Sequence, residues 1–415
     1  MVTSRLLNNA DTELSEIYFR KAKILSDNAR MAQVNNPRKL PTMVAAGIAP
    51  VVTANDTVNP NAAGQGKTYL AAPAIFTVSG TPVLASGQYR IKDAIIGATG
   101  GNIGLNNGAQ ASTSRISVEV TGTTVTWRLG PSVAKYRFLV NNQYVDLVGI
   151  NTTQTAVGPD QYITLDFTAV GGYATRIVAV ETQKTCSFQG VYTEANGLIR
   201  AVAKPKNWLR AVKLGDSYVD GAAQTTAYGD LYGVQCADWL GINQISMSGS
   251  GGTRWGSNTG AVYSFGNRIA NGDLALGGFT PDIIFLMGSV NDYVQVAADI
   301  TNNVAAGVVN ARSQYPGALI FVAGTYDAGS GSTAQNTASE NAVFAGVAAS
   351  GVTRGIATVP ITTDPNGAWV TAANRPTLFT LGADPQLTHW NDVGNGIAGT
   401  WEARAYLNAL GSMLF

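Results

Sequence analysis

Two stretches of the chain, Ile283-Ile284-Phe285-Leu286-Met287 and Ala318-Leu319-Ile320-Phe321-Val322-Ala323, are apolar at every position. A strand with one wet face alternates apolar and polar residues. A strand with no polar face has to be covered on both sides, as in a parallel sheet held between layers of helices. The neighbouring sequence agrees. Leu209-Arg210-Ala211-Val212-Lys213-Leu214 reads as a strand running into Gly215-Asp216-Ser217, with a helical stretch around 228–240 and a strand over 242–247. Ala-rich helical segments follow at about 294–313 and 334–350. Strands alternating with helices over 206–415 predict a three-layer α/β domain.

Upstream of Pro205 the period changes. Ser114-Arg115-Ile116-Ser117-Val118-Glu119-Val120, Thr124-Val125-Thr126-Trp127-Arg128-Leu129, Tyr162-Ile163-Thr164-Leu165-Asp166-Phe167 and Thr175-Arg176-Ile177-Val178-Ala179-Val180-Glu181 alternate with period two, broken by Gly and Asn turns. Residues 70–205 therefore predict an antiparallel, jelly-roll-like β-sandwich with a core of its own. Residues 41–69, rich in Asn, Pro, Ala and Gly, read as a linker. Within it, Gly66-Lys67-Thr68 resembles the end of a phosphate-binding loop, but position 61, where that motif needs its first Gly, is Asn. Residues 1–40 form an N-terminal helical segment. In its helix, 11–33, Leu14, Ile17, Lys21, Ile24, Asn28 and Met31 recur at spacings of three and four. That stripe either packs on the chain's own body or makes a short homo-oligomeric seam registered by Lys21 and Asn28.

Composition narrows the function classes. Charged residues are 13% of the chain, and 27 Lys+Arg against 26 Asp+Glu leave a net charge of +1, without the basic excess of a nucleic-acid binder. No apolar run is long enough to span a membrane. The first residues lack the apolar core of a signal peptide. With Cys186, Cys236 and a single histidine, a zinc site of N and S ligands is not expected. A low-charge surface with 47 Gly residues suits a β-rich protein acting outside the cell or on a virion.

In an open parallel sheet, reacting groups gather at the carboxyl ends of the strands. Ser217 follows one such strand, and Gly288-Ser289-Val290-Asn291-Asp292 follows another. Ser248-Gly249-Ser250-Gly251-Gly252-Thr253-Arg254-Trp255 is a Gly-rich loop after a third, and Asp384-Pro385-Gln386-Leu387-Thr388-His389 comes late in the chain.

Gly-Asp-Ser, the Gly loop, Gly-x-x-Asn-Asp and the late Asp and His, in this order over roughly 205–415, resemble the SGNH (GDSL-type) hydrolases. The resemblance implies a flavodoxin-like hydrolase domain with Ser217 as nucleophile and His389 as its base. It implies an oxyanion hole made by the Ser217 N–H, an N–H at Gly251 or Gly252, and the Asn291 amide, with Asp216 holding the turn. The family places its acid three residues before the His, and here that position is Gln386. Asp384 can serve if the loop bulges, Asp392 is a rival, and a dyad with a backbone carbonyl on His389 is the third option. Arg254 and Trp255 either line a substrate cleft or pack. Serine acyl transfer needs no metal or organic cofactor.

A β-sandwich ahead of such a domain is similar to the arrangement in carbohydrate O-acetyl esterases, where the sandwich resembles a carbohydrate-binding module. Trp127, Tyr136, Tyr144, Tyr162, Tyr173 and Tyr192 either stack on sugar rings or fill the sandwich. Three functions follow as expectations. The first is a deacetylase acting on an acetylated carbohydrate, the second a general short-chain esterase or lipase, and the third a phage-tail or adhesion protein binding glycan with or without deacetylation.

Overall fold

The computed structural model describes residues 2–35, 49–56, 66–70, 75–80, 82–85, 88–91, 95–96, 101–102, 114–129, 135–151, 160–182, 187–220, 231–256, 264–275, 278–326, 333–367, 369–371, 373–379 and 389–414. Five parallel strands, numbered here within their sheet, are β1 (Arg210–Gly215), β2 (Gln244–Gly249), β3 (Ile283–Leu286), β4 (Leu319–Ala323) and β5 (Ile356–Val359). They pair in the order β2-β1-β3-β4-β5. Helix α1 (Val2–Asn35) precedes the sheet in the chain, and α2 (Tyr232–Leu240), α3 (Phe265–Ala270), α4 (Ala297–Gln314), α5 (Thr333–Ala349) and α6 (Asp392–Leu410) follow its strands. The residues of β3 and β4 are all buried, as their unbroken apolarity requires. Alternate residues feed opposite layers. Phe285 and Phe321 join the cluster under α2 and α6, while Ile284 and Ile320 join the one under α4 and α5. The strand order reverses at β1, so the crevice between the carboxyl ends of β1 and β3 is the switch point where this architecture binds ligands.

The preceding module is two antiparallel sheets over one shared core. Val125, Trp127, Leu129, Ile163 and Leu165 come from one sheet and Ile116, Val118, Val120, Val178 and Val180 from the other, and all are buried. The expected alternation is visible in Gln161–Asp166, whose residues are buried and half-buried in turn. Residues 41–69 are not simply a linker. Val51–Asp56 pairs with Gln161–Asp166, and Gly66–Leu70 pairs with Ser187–Glu194. Val52 and Ala54 pack on the sandwich core, so two short strands lie where the composition reads as coil.

Helix α1 belongs to the α/β body. Tyr18, Ala22, Leu25 and Ala29 share a cluster with Leu209, Leu240 and Ile242. The polar positions of the stripe serve the same contact. Lys21 pairs with Asp282 at 3.1 Å and donates to the Gly317 carbonyl at 2.8 Å. Asn28 donates to the Asn207 and Gly241 carbonyls at 2.9 and 3.1 Å. Of the two readings of the stripe, the structure shows packing on the chain's own body. Arg115 links the two modules, with Nε and Nη2 on Glu181 of the sandwich and Nη1 3.5 Å from Asp238 of α2.

Candidate active site

β1 ends at Gly215 because the chain must turn where side chains crowd: a Cβ there would lie 2.4 Å from Val219 Cγ2 and 2.8 Å from Met287 Sδ. Asp216 and Ser217 follow, and Ser217 opens a single helical turn, Ser217–Asp220. The Asp216 carboxylate is fully buried and holds that turn. It accepts the Tyr218 N–H at 3.0 Å and lies 2.7 Å from Ser289 Oγ. Burial pushes this carboxyl up, against the opposing pull of the Ser289 and Tyr218 hydrogen bonds.

His389 comes three residues before α6, in a segment whose Trp390 shares a core cluster with Tyr218 and Val219 of the Ser217 turn. Its Nε2 lies 2.8 Å from Ser217 Oγ. The imidazole ring sits 5.6 Å from the Tyr218 ring, which also lies 5.8 Å from Trp390, so aromatic packing fixes the His-bearing segment over the Ser turn. Asp384 lies outside the described residues. Asp392 is the first residue of α6.

The Gly loop forms a turn closed by Thr253, whose hydroxyl donates to the Ser250 carbonyl at 2.6 Å. Gly252 has φ +75°, a left-handed backbone that favours glycine. Gly249 is needed for close approach, since a Cβ there would lie 2.0 Å from the Asp220 nitrogen. Asn291 Nδ2 reaches the Thr253 carbonyl at 3.1 Å, Ser289 Oγ at 3.2 Å and Asp216 Oδ2 at 3.3 Å. Ser217, the Gly251-Gly252 turn and Asn291 are therefore joined through Asp216, Ser289 and Thr253.

Trp255 is a correction. Its side chain is fully buried, with Nε1 donating to the Met287 carbonyl at 2.9 Å and its ring edge-on to Phe265 at 5.2 Å, so it packs and lines no cleft. Arg254 is half-buried and pairs along the backbone with Ser264. Sequence reasoning passed over Ser289 and Asp292. Asp292 accepts the backbone N–H groups of Trp255 and Gly256 at 3.1 and 2.8 Å. Burial, resisted by those two bonds and reinforced by Asp216, raises its carboxyl to about 7. The signal was present in the Gly288–Asp292 motif, where only Asn291 received a role. Among the described residues no cluster of His, Cys, Asp and Glu could hold a metal ion. No helix described is long and apolar enough to cross a membrane.

No protein-family model matches the chain, and no curated protein does. Solved structures do. A family two carbohydrate esterase from Cellvibrio japonicus superposes with TM-score 0.56 at 12% identity, covering 83% of this chain and 98% of its own. A carbohydrate esterase family 2 enzyme plus carbohydrate-binding domain from Corynascus thermopiles (Myceliophthora fergusii) gives 0.53 at 17%, covering 81% and 99%. This chain has their fold. A salicylyl-acyltransferase from a tetracycline biosynthetic pathway has it too, with TM-score 0.58 at 13% identity over 83% of this chain and 98% of that one. One fold thus serves esterases and an acyltransferase alike, and what this chain does has to be argued from its site.

Proposed function

We propose that this protein is a serine esterase that removes O-acetyl groups from a carbohydrate through an acyl-enzyme. The observation that carries the reading is the 2.8 Å approach of His389 Nε2 to Ser217 Oγ at the switch point of the sheet. A hydroxyl becomes a competent nucleophile when a base in hydrogen-bond reach takes its proton. In the reaction Ser217 Oγ bonds to the acetyl carbon while its proton passes to His389 Nε2. Charge then develops on the carbonyl oxygen, facing the N–H groups of Ser217 and of Gly251 or Gly252, and the Asn291 amide. The Asn291 amide has two hydrogens and three acceptors around it, so it can turn one hydrogen to the oxyanion and stay anchored by the other. Collapse expels the sugar hydroxyl, which takes the proton from His389, and water releases acetate by the same steps reversed.

Carbohydrate as the substrate is supported by the fold neighbours and by the sandwich surface. Tyr136, Tyr144 and Trp127 are in the core. Tyr162 and Tyr192, each half-buried, have rings 6.0 Å apart at 58°. Beside them Arg128 donates to Tyr192 OH at 3.4 Å and to Asp160 at 2.8 Å, and Gln189 also holds Asp160. Aromatic faces rimmed by such planar polar groups suit a sugar ring, and a low-charge surface suits action outside the cell or on a virion.

Ser217→Ala tests the reading. It is expected to lower acetate release by about a thousand-fold or more, because the members of a Ser–His unit act together, with the fold unchanged by circular dichroism. Acetate release from an acetylated polysaccharide, set against hydrolysis of a long-chain ester, decides the substrate class. A Ser217→Ala enzyme that keeps most of its activity overturns the proposal, and preference for the long-chain ester favours the lipase alternative.

A further inference from the structure

Arg268, on α3, is wholly enclosed, and each of its five N–H donors has an acceptor. Nε donates to Asp273 Oδ2 at 2.7 Å. Nη1 donates to the Gly215 carbonyl at 2.6 Å and to Thr253 Oγ1 at 3.0 Å. Nη2 donates to the carbonyl and the hydroxyl of Ser248 at 2.7 and 3.1 Å. One rigid planar group therefore ties the end of β1, two positions before Ser217, to the end of β2 and to the residue that closes the Gly251-Gly252 turn.

Stability alone does not call for such a group, since well-packed apolar residues often serve as well as a buried ion pair. The choice of acceptors is the telling feature. Thr253 passes the constraint onward, because its carbonyl accepts from Asn291 Nδ2 at 3.1 Å and lies 2.9 Å from Ser289 Oγ. The chain of bonds runs from the guanidinium through Thr253 to Asn291, and directly to the strand that carries Ser217.

We propose that Arg268, acting through Thr253, is a positioning residue that sets the spacing of the Ser217, Gly251–Gly252 and Asn291 donors so that they converge on one oxygen. The proposal rests on the esterase reading above. Arg268 touches no reacting atom. Its effect lies in the transition state, because preorganised donors stabilise developing charge only when they already stand where it appears.

Thr253→Val is the sharper test, since it removes the hydroxyl link at nearly constant shape and leaves the Arg268–Asp273 pair intact. Its kcat on p-nitrophenyl acetate is expected to fall by about tenfold to a hundredfold, with KM within about twofold, because one set of oxyanion donors is loosened and not deleted. Affinity for a boronic acid that forms a tetrahedral adduct on Ser217 should weaken by a similar factor. Amide hydrogen exchange over 250–256 should quicken while that of the sandwich stays the same. Thr253→Ser, which keeps the hydroxyl, should restore all three, and Arg268→Lys should act in the same direction as Thr253→Val. Lower melting temperatures with wild-type kcat and boronate affinity would overturn the proposal and leave the cluster a purely structural clamp. A wild-type protein without ester turnover would sink the esterase reading instead. Exchange over 250–256 still judges the positioning role in that case, and an unchanged rate in Thr253→Val counts against it.

Discussion

Lys213 Nζ lies 2.5 Å from Glu402 Oε2, and both side chains are excluded from solvent. Lys213 is on β1, four residues before Ser217, and Glu402 is on α6, which His389 leads into. Tyr326 and Tyr406 each donate to Glu402 Oε1 at 2.9 Å, and the Tyr232 ring faces the ammonium at 4.4 Å. The pair thus ties the strand that leads into Ser217 to the helix that follows His389. Removing one partner strands a buried charge, so Glu402→Leu should cost about 3–5 kcal/mol in denaturant unfolding. The double variant Lys213→Met/Glu402→Leu should recover most of that. Equal losses in the single and double variants would show that the charges are not coupled.

The acid behind His389 is open to a direct comparison. Asp384→Asn is expected to slow ester hydrolysis more than Asp392→Asn, if Asp384 orients the ring and stabilises its charged form. Small, equal effects on kcat would point to a dyad in which a backbone carbonyl orients the ring.

Asp292 gives the protein a pH dependence of a defined sign. Unfolded, its carboxyl ionises near the usual 3.8; folded, it keeps its proton up to about 7. Between those values the native state binds more protons than the unfolded chain, so this group's contribution to stability is full below about 4, declines up to about 7 and is level above. Asp292→Asn cannot ionise. The difference in unfolding free energy between wild type and Asp292→Asn should therefore fall from pH 4 to pH 7 and stay flat from pH 8, and a pH-independent difference would refute the assignment.

Helix α1 should behave as part of the α/β body. Leu25 is fully buried against it, so Leu25→Ala should destabilise by about 2–5 kcal/mol through lost burial and the cavity left behind. A fragment of 206–415 alone should be less soluble than one in which α1 is retained by a linker. Unfolding of Leu25→Ala at the wild-type midpoint would contradict that placement of α1.

What could be read from the chain followed from where burial leaves an unambiguous pattern. β3 and β4 have two dry faces and so no polar residue to confuse the period. The sandwich strands have one dry face and alternate. Ser217, Asn291 and His389 stood out because each falls after a strand or late in the chain, in a fixed order. Helix α6 was missed because its packing against α2 depends on small residues: a Cβ at Gly399 would fall 2.6 Å from the Tyr232 carbonyl. Contacts of that kind leave no apolar stripe. Trp255 could not be placed by type, since an indole suits a cleft or a core equally well. The Arg268 cluster was illegible for another reason, since its acceptors are mostly backbone carbonyls and hydroxyls that any sequence could supply.

The docking of α1 also governs the order in which the molecule can be made. Tyr18 donates to the Pro316 carbonyl at 2.5 Å and Lys21 to that of Gly317, partners separated by 298 and 296 positions. A chain emerging from the ribosome amino end first exposes this helix long before its seat exists. The sandwich, whose strands pair among themselves, can close in the interval, while the apolar face of Tyr18, Ala22 and Leu25 waits in water. Contacts of such sequence separation slow folding, because the loop must close before the contact stabilises anything. Helix α1 is thus made before its seat and settles after it, and a chain cut short before residue 316 would leave a sticky, half-homeless helix for chaperones to shield.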